Sequence, residues 1–237
     1  MLQGNQAGET KSKVNLINGD CMSFMAGCED NKYELCICDP PYGINYGQSD
    51  GFDKVKRANG TTGHTTRKKH TKKDWDVDAP SDRYFDELRR VSKMQIIWGG
   101  NYFNLPPTRG IICWDKKQPF DNFSAWEMAW TNTDKPASMF RYDNKGFMCK
   151  DGAKIHPTQK PIALYKWLLS QYAEEGDTIL DTHGGSMSSV IACIDLQHDV
   201  TCLELDADYF NTACARVQTH VNQLDMFIPA PTITIHK

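Results

Sequence analysis

No apolar run in the 237-residue sequence approaches the roughly 18 residues that a membrane span requires, so no membrane association is expected. The opening Met1-Leu2-Gln3-Gly4-Asn5 lacks the charged and apolar regions of a signal peptide, and a cytoplasmic protein is expected. Paired CxxC spacing is missing as well. The nine cysteines are odd in number and spread from Cys21 to Cys214, which favours reduced core thiols over a disulfide frame or a metal site. Acidic residues are absent from one long stretch: Lys54 to Lys73 holds eight Lys and Arg, two His and no Asp or Glu. The formal net charge of the whole chain is -3, so with those eight set aside the remainder carries -11. With glycines, threonines and no apolar period, this stretch reads as a mobile loop. Composition alone suits a solvated tether and a surface laid along phosphates equally well.

With 40% hydrophobic and 24% charged residues, the chain has enough apolar material for one globular core. Short apolar runs at Val14 to Ile17, Leu35 to Cys38, Gln95 to Trp98, Gly110 to Trp114, Thr178 to Leu180 and Val200 to Leu203 predict strands, each ending beside polar or glycine residues. Helical periodicity predicts helices over Pro80 to Val91, Pro161 to Tyr172, Ser186 to Leu196 and Ala207 to Val221, with Pro161 in a first turn. Alternation of this kind predicts an α/β, doubly wound, Rossmann-like fold that binds ligands at the carboxyl ends of its strands.

The most specific motif is Asp39-Pro40-Pro41-Tyr42, directly after the strand Leu35 to Cys38. Prolines end the strand and fix the backbone, setting a carboxylate beside a carbonyl. An exocyclic amino group on a planar base has two hydrogens to donate, while its lone pair is delocalised into the ring. Accepting both hydrogens through Asp39 and the Pro40 carbonyl would localise that lone pair for attack. Tyr42 could stack on the base once it has left the duplex. A second motif, Asp181-Thr182-His183-Gly184-Gly185-Ser186, forms a glycine-rich turn between strand and helix. Met187 and Ser189 break the G-x-G-x-x-G fingerprint, which disfavours a nicotinamide dinucleotide. Glu204 ends the next strand, where a carboxylate can take both hydroxyls of a ribose. Cys36 and Cys38 read as packing residues. Trp126 and Trp130, flanking Glu127, read as core or as lining of a base pocket.

These blocks resemble the adenine-specific, amino-group DNA methyltransferases with permuted motif order, in which the DPPY block precedes the cofactor block. His156-Pro157-Thr158-Gln159-Lys160-Pro161, Asn18-Gly19-Asp20 and Trp98-Gly99-Gly100-Asn101-Tyr102-Phe103 are similar to further blocks of that family. The resemblance implies S-adenosylmethionine as cofactor and a mixed, mostly parallel sheet with helices on both faces. It assigns Asp39, Pro40, Pro41 and Tyr42 to the target amino group. Asp181, Thr182, His183, Gly184, Gly185 and Ser186 would surround the methionine end of the cofactor. Glu204 would hold the ribose, Asp20 the adenine, and Thr158 with Lys160 the methionine carboxylate. Met187 stands where the family carries glycine and would narrow the pocket. His183 is not needed as a base, since the methylated amine can lose its proton to water.

The implied organisation is a flexible segment 1–13, a methyltransferase domain 14–222 and a tail 223–237. The domain contains the basic loop 50–74 and a target-recognition region at about 116–154. Because the basic stretch follows the catalytic turn, Arg67, Lys68, Lys69, Lys72 and Lys73 are expected to contact DNA. Gln223-Leu224-Asp225-Met226-Phe227 is similar to a sliding-clamp docking peptide, with Gln223, Leu224, Met226 and Phe227 as its contacts. The expected activity is methylation of adenine in DNA. Its alternatives are N4-cytosine methylation and a non-catalytic DNA-binding protein on the same scaffold.

Overall fold

The computed structural model describes residues 11–46, 54–56, 62–64, 73–117, 124–143, 151, 154–224 and 228–237. Its centre is a nine-stranded sheet. In chain order the sheet strands are β1 (Lys13–Asn18), β2 (Tyr33–Cys38), β5 (Ser92–Trp98), β6 (Gly110–Asp115), β7 (Trp126–Thr131), β8 (Ser138–Arg141), β9 (Thr178–Asp181), β10 (Asp199–Glu204) and β11 (Thr232–His236). The hairpin strands β3 (Lys54–Lys56) and β4 (Thr62–His64) pair with each other inside the stretch read as a loop.

Across the sheet the order is β11-β1-β10-β9-β2-β5-β7-β6-β8, parallel from β11 to β5, with β7 antiparallel to both its neighbours. The side chains of β2 show why it lies at the centre. Leu35 and Ile37 enter one core cluster, Cys36 and Cys38 the other, and all four are at most 1% exposed. A strand buried on both faces needs such a continuous apolar run.

Helices α1 (Cys21–Ala26) and α2 (Asp82–Val91) cover one face, α2 through Tyr84, Phe85, Leu88 and Val91. Helices α3 (Ile162–Tyr172), α4 (Ser188–Asp195) and α5 (Ala207–Val221) cover the other, α5 through Phe210, Ala213 and Val217. Pro161 is extended at the N-cap of α3, one position before the first turn, because its fixed φ suits either place. Helix α4 starts two residues later than the sequence reading, because Met187 takes a left-handed conformation (φ 54°, ψ 35°) that a helix cannot include.

The chain after α5 does not end as a tail. Thr232–His236 adds a parallel edge strand to β1, with Val14 opposite Ile233. Leu224 packs against the main core, while Met226 and Phe227 of the clamp-like peptide lie outside the described residues. Among the described residues no helix is long and apolar enough to cross a membrane.

Candidate active site

Neighbouring strands β9 and β2 lead to helices on opposite faces, α4 and α2. Ligand clefts in open α/β sheets form at such a switch point. Asp181 ends β9 and Asp39 follows β2, so the two motifs of the sequence emerge side by side.

Asp39 is held at both oxygens. The Tyr42 hydroxyl donates to Oδ1 at 2.6 Å, and the Lys160 ammonium lies 2.5 Å from Oδ2. The Tyr42 ring sits against Gly99, whose φ is +70° and where a Cβ would fall 2.2 Å from the ring. On the other side Tyr102 stacks on it, with centroids 4.7 Å apart and planes 11° from parallel. Pro40 is buried. The turn beyond is fixed by a residue that the sequence motifs do not contain. Asp76, 2% exposed, accepts from the backbone N–H groups of Tyr42 (2.7 Å), Gly43 (3.1 Å) and Tyr46 (2.7 Å).

Lys160 is expected at the methionine carboxylate, but in the structure its ammonium lies at the Asp39–Tyr42 turn. Its side chain is 3% exposed and pairs with both Asp39 and Glu127, the latter at 3.1 Å. Burial alone would lower the lysine pKa, but the two carboxylates outweigh it and raise it, so the ammonium stays charged. Glu127 belongs to β7 and also pairs with Lys116, just past β6. Burial pushes the Glu127 carboxyl up, yet Lys160 and then Lys116 prevail and hold it at about 2.

The residues expected on the cofactor side gather around the turn after β9. Asp181 is 2% exposed and accepts from Ser189 Oγ (2.5 Å) and the His183 N–H (3.0 Å). Burial still dominates and pushes its carboxyl up to about 7. Burial also depresses the His183 imidazole to about 4, leaving it neutral, with Nδ1 3.0 Å from Thr182 Oγ1. Thr182 in turn meets the Tyr84 hydroxyl at 2.7 Å. At Gly184 a Cβ would fall 2.5 Å from Cys202 Sγ, so this turn can press on β10 only as glycine. The Gly185 N–H donates to Glu204 Oε2 at 2.7 Å, and the Asp206 N–H to Oε1 at 2.8 Å. Burial raises the Glu204 carboxyl despite these bonds. Ser186 is buried, its hydroxyl 3.1 Å from that of Ser188. Thr158 Oγ1 lies 3.0 Å from His156 Nδ1, and that ring packs edge-on against Tyr209.

Several expected residues make firm contacts within the protein. Asp20 caps α1, accepting from Met22 N, Ser23 N and Ser23 Oγ, and the Ser23 hydroxyl and amide keep its carboxyl low. Met187, expected to narrow the pocket, has its side chain fully buried in the main core. Trp130 is also a core residue, its Nε1 donating to the Pro106 carbonyl, whereas Trp126 is 52% exposed. Lys73, expected on DNA, lies 2.6 Å from Asp206 and 2.9 Å from Asp208 and sits over the Tyr209 ring. The remaining DNA candidates Arg67, Lys68, Lys69 and Lys72 lie outside the described residues.

Sequence reasoning missed the action of Glu127 on Lys160, Asp76 and Lys116. Asp76 follows the basic stretch closely, but only the folded turn reveals the three amides it serves. The charge-bearing side chains around the β9 turn are acidic: Asp20 acts electrostatically on His183, Asp181 ends β9, and Glu204 accepts from the Gly185 N–H. Such a site suits a cationic ligand that carries hydroxyls and repels a polyphosphate.

Residues 64–215 match a family model described as DNA methylase of the N6/N4 methyltransferase type. The chain is 23% identical to the type II methyltransferase M2.MboI of Moraxella bovis, over 85% of this chain and 86% of that protein. It is 29% identical to M.HpaI of Haemophilus parainfluenzae over 38% of this chain and 28% of that one. Similar folds occur in the PvuII cytosine-N4-specific DNA methyltransferase (TM-score 0.56, 15% identity, 93% of this chain and 90% of that one). They occur also in the M1.HpyAVI–SAM complex (TM-score 0.51, 15% identity, 86% and 98%). A third is a putative DNA modification methylase of Thermus thermophilus in complex with S-adenosylmethionine (TM-score 0.52, 15% identity, 94% and 100%). These likenesses establish a Rossmann-like methyltransferase fold.

Proposed function

The chain belongs to the N6/N4 DNA methylase family, and on that footing we propose that it methylates the exocyclic amino group of an adenine extruded from DNA, with S-adenosylmethionine as donor. The observation that carries this reading is Asp39, fixed at both oxygens by Tyr42 and Lys160 and set beside the acidic turn after β9. A carboxylate has about four lone-pair positions, so two remain for an amino hydrogen. Asp39 and the Pro40 carbonyl then hold the two hydrogens of the amine and draw its lone pair out of the ring.

The residues of the β9 turn fit the cofactor. Asp181 is a buried and Glu204 a half-buried carboxylate, both raised by desolvation, and a cation with hydroxyls relieves both. Glu204 takes the ribose, Asp20 and the exposed Leu205 the adenine, and Asp181, Thr182, His183, Gly184, Gly185, Ser186 and Thr158 the methionine end. When bound, the cofactor supplies a methyl carbon made electrophilic by its sulfonium sulfur. Asp39 and the Pro40 carbonyl would hold the amine nitrogen toward that carbon, and the surplus proton of the methylated amine would leave to solvent. His183, neutral and buried, takes no proton in this scheme. The base stacks on Tyr42 by displacing Tyr102, which is 48% exposed. Contacts to the DNA backbone fall to Arg67, Lys68, Lys69 and Lys72.

The test is incubation with tritiated cofactor and unmethylated genomic DNA, followed by nucleoside mass spectrometry. N6-methyl-2′-deoxyadenosine is expected. N4-methylcytosine would overturn the adenine assignment, and no incorporated label would overturn the enzymatic reading.

A further inference from the structure

Lys160 places its ammonium between two carboxylates, Asp39 just past the end of β2 and Glu127 on β7. It reaches Asp39 Oδ2 at 2.5 Å and Glu127 Oε2 at 3.1 Å, and its Nζ lies 5.1 Å from the Trp98 ring centroid. Glu127 is anchored in turn, its other oxygen paired with Lys116, which lies over the Trp114 ring. The topology makes this possible. β7 is antiparallel to β5 and β6, so its second residue reaches the edge where the parallel strands end. Lys116 is fixed there by its N–H, which donates to the Ala125 carbonyl at 3.0 Å. Two carboxylates and two ammoniums therefore form a balanced set around the turn that carries Asp39.

We propose that Glu127 is a positioning residue for methyl transfer, acting on Asp39 through Lys160, with Lys116 balancing its charge. The inference rests on the reading of Asp39 as the acceptor for the target amine. Asp39 must be oriented firmly yet remain a good acceptor. A lone buried lysine would concentrate its charge on Asp39 and compete with the amine for the carboxylate lone pairs. It would also oppose the positive charge that grows on nitrogen as the methyl arrives. Sharing Lys160 with Glu127 keeps the orientation and divides the pull. Neutralising Glu127 alone leaves the set with one excess positive charge at the reacting nitrogen. Removing the Lys116 charge as well restores balance.

The experiment compares wild type, Glu127→Gln and Glu127→Gln/Lys116→Met in tritiated methyl transfer to unmethylated genomic DNA, with melting curves and cofactor titrations alongside. In Glu127→Gln the rate at saturating substrates is expected to fall about tenfold or more, while KM for DNA and Kd for the cofactor stay within about twofold. Adding Lys116→Met is expected to recover the rate to within about threefold of wild type. A purely structural role predicts that the second substitution deepens the loss. The inference is overturned if Glu127→Gln keeps its rate, whatever its melting temperature, or if the double variant is slower than the single one. Wild type without label would instead sink the parent reading, and this inference with it.

Discussion

Replacing Asp181 by asparagine is expected to stabilise the protein at alkaline pH while weakening its grip on the cofactor. The side chain is 2% exposed, and burial lifts its folded-state pKa to about 7, against about 3.9 in an unfolded chain. With the folded pKa the higher of the two, folding takes up a proton between those values. The carboxylate therefore opposes folding increasingly as pH rises from about 4 to 7 and at a constant level above that. About three pKa units at 1.36 kcal/mol each set a ceiling near 4 kcal/mol. Asparagine has one acceptor oxygen and loses a partner among Ser189 Oγ and the His183 N–H, worth about 1 kcal/mol. About 3 kcal/mol remains, or roughly 6–12 °C in melting temperature for a chain of this size. Thermal melts of both proteins from pH 5 to pH 8 should therefore diverge as pH rises, with the variant higher at pH 8 and level with or below wild type at pH 5. A pH-independent difference, or a less stable variant at pH 8, would refute the reasoning. Retaining a carboxylate at such a cost makes sense for a site that binds a cation. By the same linkage, cofactor binding to wild type should weaken as pH falls below 7, and a pH-independent Kd would contradict it.

Three further outcomes follow from the same geometry. Lys160→Met leaves the Asp39 and Glu127 carboxylates without their shared partner, and melts should show a loss of about 3–5 kcal/mol at neutral pH; a change within 2 °C, against the roughly 2–4 °C per kcal/mol usual at this size, would contradict the pairing. Glu127 is held at about 2, so its stabilisation is full above about pH 4.5 and disappears as pH falls toward 2; Glu127→Gln should flatten that acid limb of the stability curve, and an unchanged limb would argue against the network. Gly99→Ala sets a Cβ 2.2 Å from the Tyr42 ring on a backbone at φ +70°, so methyl transfer should fall at least about tenfold as the turn is displaced, with cofactor affinity retained in calorimetric titration.

The central strands were legible because burial on both faces forces an apolar run on the sequence, as in Leu35 to Cys38. Helices α2 and α5 were legible through their one-sided apolar faces. The strands that escaped notice are those whose pairing supplies what their own sequence does not. β11 reads Thr-Ile-Thr-Ile-His and is largely exposed at the sheet edge, so its alternation looks like any polar tail until β1 accepts it. β8 has four residues, and α1 has six, defined mainly by the Asp20 cap. In the site, the residues adjacent in sequence to a strand end were visible: Asp39, Asp181, Gly184 and Glu204 each follow or finish an apolar run. Asp76, Lys116 and the action of Glu127 through Lys160 were not, because a charge partner across strands leaves no periodic trace in either strand.

Lys73 shows how misleading a charge run can be when read by composition alone. It closes a stretch of eight basic residues, yet its ammonium is tied to Asp206, the cap of α5, and to Asp208 in the first turn. Three positions later Asp76 ties down the amides of Tyr42, Gly43 and Tyr46. Between them Trp75 packs against His156, with ring centroids 5.2 Å apart. The last residues of the basic stretch thus join the strand that carries Glu204 to the turn that carries Tyr42. Opposite charges at this junction settle where the segment ends. The -11 of the remaining chain is likewise no uniform acidic surface: Asp39, Asp181 and Glu204 are carboxylates gathered at the ends of β2, β9 and β10.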